Sequence, residues 1–414
     1  MEFIADFHVH SKYSRATSRD MDVHNIAQWA KLKGITLMGS GDFTHHLWLE
    51  ELKYKLQDLG NGLFKYEDVY FILSAEISSI YSKKGKTYRI HNLILSPSLK
   101  TTDKINATLS RYGNLASDGR PILGLDAAEI ARIVFDIDEN CMFIPGHIWT
   151  PWFSLFGSMS GFDRIQDCFE EQTPKIFALE TGLSSDPAMN WRLSSLDRFT
   201  LVSNSDSHSP SRIGREANVF NCELSYKAIR EVLRNKDKEK FLYTIEFFPE
   251  EGKYHFDGHR LCGVRFSPQQ TKENKGLCPK CGKPVTVGVM SRVDKLADRP
   301  EGYKPSNAIG YKNLIPFDEI IAQTKGVAAG SVAVERDYRS FIAKFGTEFD
   351  ILIRATPAEL MKGLPKRVAD GVLRTRQGKV NINPGFDGEY GKVSLFDAGD
   401  DQQGAKGEQQ LSLF

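Results

Sequence analysis

Ile4-Ala5-Asp6-Phe7-His8-Val9-His10 is the stretch whose reading decides the fold. Its apolar, partly β-branched start predicts a strand that runs into polar chemistry at its C-terminal end. Side chains two apart on a strand share a face, so His8 and His10 project together while Val9 points the other way. Two imidazoles on one face supply half a metal shell. A single His-x-His pair is weak evidence, and the weight comes from the acidic and imidazole residues at the ends of later strands.

The same rhythm recurs outward from that stretch. Residues 22–33 read as a helix, with Val23, Ile26, Ala27 and Ala30 at helical spacing and Gly34 as a stop. A short buried strand at 35–38 then leads to Asp42, His45 and His46. A strand at 69–75 ends in Glu76, and one at 87–95 holds His91. A helix at 126–135 precedes a strand leading to His147. Further strands lead to Glu180 and to Asn204-Ser205-Asp206-Ser207-His208. Buried strands alternating with helices predict a parallel α/β architecture. Polar residues at successive strand ends predict a barrel with its site on the C-terminal face. His8, His10, Asp42, His45, Glu76, His91, His147, Asp206 and His208 are the candidate ligands of one polynuclear metal centre. Core hydrogen bonding and helix capping would account for any one of them, but not for the series. A carboxylate such as Glu76 can bridge two metals, and paired divalent ions suit phosphoester hydrolysis.

The 414 residues are enough for two or three domains, and 41% hydrophobic with 26% charged residues argues against wholesale disorder. A net charge of +1 gives no global sign of a polyanion partner, so a nucleic-acid surface must be local. No apolar run is long enough for a membrane span, and the acidic N-terminus does not read as a signal peptide. The expectation is a soluble, cytoplasmic protein without membrane contact. Cys141, Cys168 and Cys222 then read as small buried residues.

The aromatic run at 148–157 reads as a packed lid or as a stacking surface for an unstacked base, with Trp149 and Trp152 the candidates. The charge run 236–240 marks a boundary. His259-x-x-Cys262 followed by Cys278-x-x-Cys281 has the two-knuckle spacing of a structural zinc ribbon, with His255 as an alternative fourth ligand. Residues 291–311 read as a polar stretch, 316–323 and 333–345 as helices, 348–353 as a strand, and Thr356-Pro357 as a helix start. Lys83 and Lys84 in the first half, and Arg374 and Arg376 in the second, are candidate DNA contacts. The glycine-rich turn 383–391, with Phe386 and Tyr390, suits a nucleic-acid surface. The polar segment 397–408 reads as a flexible tail ending in an apolar tip, Gln410-Leu411-Ser412-Leu413-Phe414, which points to a partner's pocket.

The motifs Asp6-Phe7-His8-Val9-His10, Gly41-Asp42-Phe43-Thr44-His45, Glu76, His91, Gly146-His147 and Ser205-Asp206-Ser207-His208 resemble, in order, the PHP (polymerase and histidinol phosphatase) superfamily. That resemblance implies a distorted (β/α)7 barrel with three metals. His8, His10, Glu76 and Asp206 would hold one metal, Glu76, His91 and His147 a second, and His208 would help hold the third. The pattern departs at the third site: the usual Asp-His reads Asp42-Phe43, and residues 12–18 lack the family's extra histidine. Barrel, ribbon, basic C-terminal region and tail together resemble endonuclease Q. This implies a metal-dependent repair endonuclease that nicks DNA 5′ to deaminated bases (uracil, hypoxanthine, xanthine) and abasic sites, with base flipping. His8, Glu76, His147 and Asp206 would carry catalysis. Zinc is implied at the ribbon and the catalytic centre, with magnesium or manganese the alternative at the latter. Gln410, Leu411, Leu413 and Phe414 resemble the bacterial sliding-clamp motif, and the repair role implies association with the nucleoid. The expected plan is a catalytic PHP barrel over 1–235, a zinc-binding module over 236–290, an α+β DNA-binding region over 291–396 and a tail over 397–414. Two other readings stand beside it: a PHP phosphatase acting on a small phosphomonoester, and a non-catalytic clamp-associated DNA-binding protein.

Overall fold

The computed structural model describes residues 1–396. The opening strand, Glu2–Asp6, runs parallel to Leu37–Gly39, which runs parallel to Val69–Lys83. Between the first two lies the helix Val23–Lys33, capped by the Asp22 carboxylate on the Asn25 N–H and closed by Gly34 in the left-handed region. These units set His8, His10 and Asp42 just past strand ends.

The sheet is mixed rather than parallel. Lys86–Ser96 returns antiparallel along Val69–Lys83, and Met142–Pro145 pairs antiparallel with it in turn. The cause is the two-residue turn Lys84-Gly85, both at positive φ (49° and 78°), which matches the twist of a tight hairpin. Glu76 therefore lies inside a fifteen-residue strand, not at the end of a short one. Ala217–Asn221 pairs antiparallel with the opening strand, Phe241–Glu246 pairs with Ala217–Asn221, and Gly310–Asn313 pairs with Phe241–Glu246. The expected boundaries at 235/236 and 290/291 thus fall inside a chain segment that keeps adding strands to the main sheet. Ala178–Glu180 and Thr200–Val202 form a separate parallel pair.

The zinc-ribbon-like segment is a short hairpin, Asp257–His259 with Val264–Phe266, over a very small core of Val264, Cys278 and Val285. Residues 291–311 are not simply a polar stretch. They begin within the helix Val289–Leu296, whose Arg292 is buried and donates to the Phe156 and Phe162 carbonyls. The expected strand at 348–353 is a turn of π-helix, Asp350–Arg354, because Thr347 accepts the Asp350 N–H and starts a helical turn. The helix Pro357–Gly363 opens with Thr356 and Glu359 in a capping box. Among the described residues, no helix is long and apolar enough to cross a membrane. The tail residues Gln410, Leu411, Leu413 and Phe414 lie outside the described residues.

Candidate metal centre

Seven of the nine expected ligands converge. Three overlapping groups have donor atoms within 4.8 Å of one another: His8, His10 and Glu76; His10, Asp206 and His208; and Glu76, His91 and His147. His10 and Glu76 are shared, so the groups form one continuous cluster. Glu76 is fully buried, with Oε1 2.8 Å from His91 Nδ1 and 3.1 Å from His147 Nε2. His10 Nε2 is 3.0 Å from Asp206 Oδ1.

Each of three imidazoles is pinned at its other nitrogen. His8 Nδ1 lies 3.0 Å from Glu180 Oε1, His10 Nδ1 lies 3.0 Å from Asp42 Oδ1, and His147 Nδ1 lies 3.1 Å from Thr150 Oγ1. Such partners fix ring orientation and tautomer. His8 Nε2 is buried without a hydrogen-bond partner and points toward Glu76 and Asp206, 3.7 Å from each. An orphaned imidazole nitrogen among carboxylates is what a cation-binding shell leaves open, so the residues fit a divalent metal. Charge agrees. Burial would raise the Glu76 carboxyl, but His91, Arg120 and His8 hold it well below the usual range. Burial likewise opposes the ionised Asp206, yet His10 and His8 keep it well below its ordinary value. Burial pushes His91 down to about 4, leaving a neutral imidazole with a free lone pair.

Asp42 and His45 do not join the cluster. Asp42 uses Oδ1 on His10 and Oδ2 on the Ser11 N–H and the hydroxyls of Ser11 and Ser14, which makes it a support for His10. The His45 ring stacks on Tyr13 with centroids 4.4 Å apart. Sequence reasoning passed over Glu180, although it follows a strand as the others do. It holds His8 and also accepts the His147 N–H at 2.8 Å and the Asn204 amide at 2.8 Å. Arg120 Nη1 sits 3.1 Å from Glu76 Oε2, and Arg215 donates Nε to the Ser205 carbonyl at 3.0 Å. Neither arginine lies in a motif, and no sequence signal marked them.

Beside the cluster lies a cavity of about 560 Å³, lined by Thr150, Trp152, Arg212, Arg215, Glu251 and Tyr254 among others. Thr150 joins it directly to His147. Arg212 pairs with Glu319 at 2.5 Å on the same wall. Burial, with Glu319 nearby, pushes the Glu251 carboxyl up to about 8, and burial pushes His255 down to about 4. His255 lines this cavity and is outside the cysteine cluster, where His259, Cys262, Cys278 and Cys281 lie within 4.8 Å of one another.

Most of the expected DNA contacts are otherwise engaged. Trp149 is fully buried and donates Nε1 to Asn190, because it packs the lid rather than lining the mouth. Lys83 bridges Asp126 and Glu170. Arg376 donates to the carbonyls of Ile351, Leu352 and Ala355, closing the π-helical turn. Arg374 holds Asp370 and the Leu395 carbonyl. Trp152 is half-buried, edge-on to Tyr254, and Lys84 is exposed at the hairpin tip.

A family model described as the MJ0043 C-terminal domain matches residues 316–379. An uncharacterised protein, MJ0043 of Methanocaldococcus jannaschii, is 36% identical over 255 residues, which are 60% of this chain and 31% of that protein. The crystal structure of the lesion-specific endonuclease PfuEndoQ from Pyrococcus furiosus superposes with a TM-score of 0.86 at 31% identity, covering 97% of this chain and 99% of that one. A structure of endonuclease Q with a 27-mer duplex carrying an abasic lesion at its active site gives 0.84 at 32% identity, covering 96% and 97%. With near-complete mutual coverage at this identity, the chain belongs to the endonuclease Q family.

Proposed function

We propose that this chain is a metal-dependent DNA repair endonuclease that hydrolyses the phosphodiester 5′ to an abasic site or a deaminated base. The observation that carries the reading is the buried cluster joined through Glu76 and His10, set against a cavity large enough for a nucleobase. On this reading His8, His10, Glu76, His91, His147, Asp206 and His208 hold divalent ions at the mouth of a PHP-type barrel, while His259, Cys262, Cys278 and Cys281 hold a structural zinc. Bound ions there supply a water of lowered pKa and neutralise charge on the phosphoryl oxygens. The chain's own residues do the rest. Glu180, Asp42 and Thr150 orient the imidazoles. Arg120 and Arg215 bring fixed positive charge to the cluster's edge, where a phosphate would sit.

The cavity suits a flipped base. A duplex hides the atoms that distinguish a deaminated base, so the nucleotide must leave the stack. Trp152 and Tyr254 offer aromatic faces. Arg212, Arg215 and a protonated Glu251 offer donors suited to a carbonyl oxygen where an undamaged base carries an amino group. The tail motif adds a bacterial-type sliding clamp as partner. A domain plan of barrel, zinc module and C-terminal DNA-binding region accords with the same reading, with the barrel sheet extended by Phe241–Glu246 and Gly310–Asn313.

The test is a nicking assay on duplexes with a single uracil, hypoxanthine or abasic site. The expected result is a metal-dependent cut on the lesion's 5′ side, lost in Asp206→Ala, with clamp binding lost on deletion of residues 410–414. An uncut lesion duplex, or release of phosphate from small esters instead, would reject the endonuclease; clamp binding that survives the deletion would reject only the tail's role.

A further inference from the structure

Two large apolar side chains stand out in solvent on segments that are hydrogen-bonded to the cavity wall. Leu261 is 87% exposed at the tip of the knuckle between His259 and Cys262, and Tyr390 is 74% exposed on the glycine-rich turn. These segments are one unit. The Arg260 N–H and the Thr286 hydroxyl both donate to Asp387, each at 2.6 Å, and Phe386 packs against Gly258, where a Cβ would meet its ring at 2.4 Å. The turn is also bound to the cavity wall. Gly385, Gly388 and Gly391 donate their N–H groups to the carbonyls of Glu250, Lys253 and Glu251 at 2.8, 2.9 and 3.0 Å. Tyr390 itself lines the cavity, and Lys253 sits 4.4 Å over its ring. The Arg260 guanidinium and the Tyr254 hydroxyl flank Gly388.

The module that carries Leu261 is basic, whereas the turn of Tyr390 holds Asp387 and Glu389 beside Lys392. Residues 257–288 hold six basic and two acidic side chains, in a chain whose net charge is only +1. Of the two acids, Asp257 is buried; Arg260, Lys275, Lys280 and Lys283 are exposed. Lys280 donates to the Cys262 carbonyl at 2.7 Å, which stiffens the knuckle. An exposed apolar prong on a basic module, joined to the wall of a base-sized cavity, fits a double helix: the cations take phosphates and the prong takes the place of a displaced base.

We propose that Leu261 and Tyr390 form a two-pronged wedge that enters the duplex and fills the space vacated when the lesion nucleotide rotates into the cavity. The inference rests on the endonuclease reading and names how that site opens its substrate. Unstacking a base opposes the reaction on a paired duplex and hardly at all on an already unpaired strand. The wedge therefore matters only where there is a stack to open.

The experiment compares single-turnover nicking of one uracil-containing strand, paired in a duplex or single-stranded, by the full chain and by the Leu261→Ala variant. Leu261 is exposed and is not among the residues that line the cavity, so its truncation leaves both the packing and the base pocket intact. The expected result is a slowing of roughly tenfold or more on the duplex and less than about twofold on the single strand. A 2-aminopurine beside the uracil should brighten before the nick with the wild type and stay quenched with the variant. Equal slowing on both substrates, or none on the duplex, overturns the wedge while leaving the endonuclease standing. A wild type that nicks neither substrate overturns the endonuclease reading and the wedge with it.

Discussion

The side chain that best separates ligand from support is Glu180. It is fully buried, has no place in the ligand groups, and bonds to His8 Nδ1, the His147 N–H and Asn204 at once. Its neighbourhood tolerates no slack. His147 and Asp206 adopt φ values of 28° and 46°, where side-chain-bearing residues rarely sit, and such strain persists only when surroundings over-determine it. Gly182 is part of that: a Cβ there would lie 2.4 Å from His147 Cβ. Removal of Glu180 by Glu180→Ala should therefore lower metal content or nicking rate by about 10–100-fold. Metal analysis and the nicking rate check this together, and wild-type values for both would end the orienting role. The candidate donors themselves were legible because imidazole and carboxylate recur in motifs. Asp42 stands outside the donor groups, and sequence does not show that its carboxylate oxygens are taken by Ser11, Ser14 and His10.

Among the elements, the long hairpin Val69–Ser96 and the cysteine module show opposite kinds of legibility. The hairpin was underread. Glu76 looked like a strand end, whereas the strand runs on to Lys83 because the Lys84-Gly85 turn lets it pair for eleven residues. The module was read from spacing alone, and its four donors do meet. Its apolar core is three small residues, far below what holds a fold without a further constraint. Metal binding would then be folding free energy. Chelation, or Cys281→Ser, should expose residues 257–288 to protease while the main sheet stays resistant. Fragments mapped by mass spectrometry would show this, and an unchanged cleavage pattern would mean that the module stands without metal.

On the scale of the whole molecule, the C-terminal helices are tied to the first helix by one buried ion pair. Lys33 Nζ lies 2.7 Å from Glu348 Oε2, both nearly inaccessible, and the same carboxylate takes the Tyr338 hydroxyl at 2.6 Å and the Phe317 N–H at 3.1 Å. Breaking one side of a buried pair leaves the other charge stranded, so Lys33→Met should cost about 3 kcal/mol of stability. Denaturant unfolding would measure it, and a change under about 0.5 kcal/mol, the range of ordinary surface substitutions, would mean that the pair holds nothing together. The pair was invisible in sequence because its members are hundreds of residues apart and neither carries a motif. By itself the sequence determined the chemistry: which residue types could bind metal, that they recur in and just past strands, and that a separate cysteine cluster lies beyond them. Local spacing encodes these, since periodicity and tight motifs act within a few residues. Only the tertiary structure decided which donors share a site, that the sheet is mixed and crosses the expected boundaries, and that the arginines expected on DNA are spent inside the protein. Those outcomes depend on long-range pairing and on competition for each hydrogen bond, and neither is settled until the chain has packed.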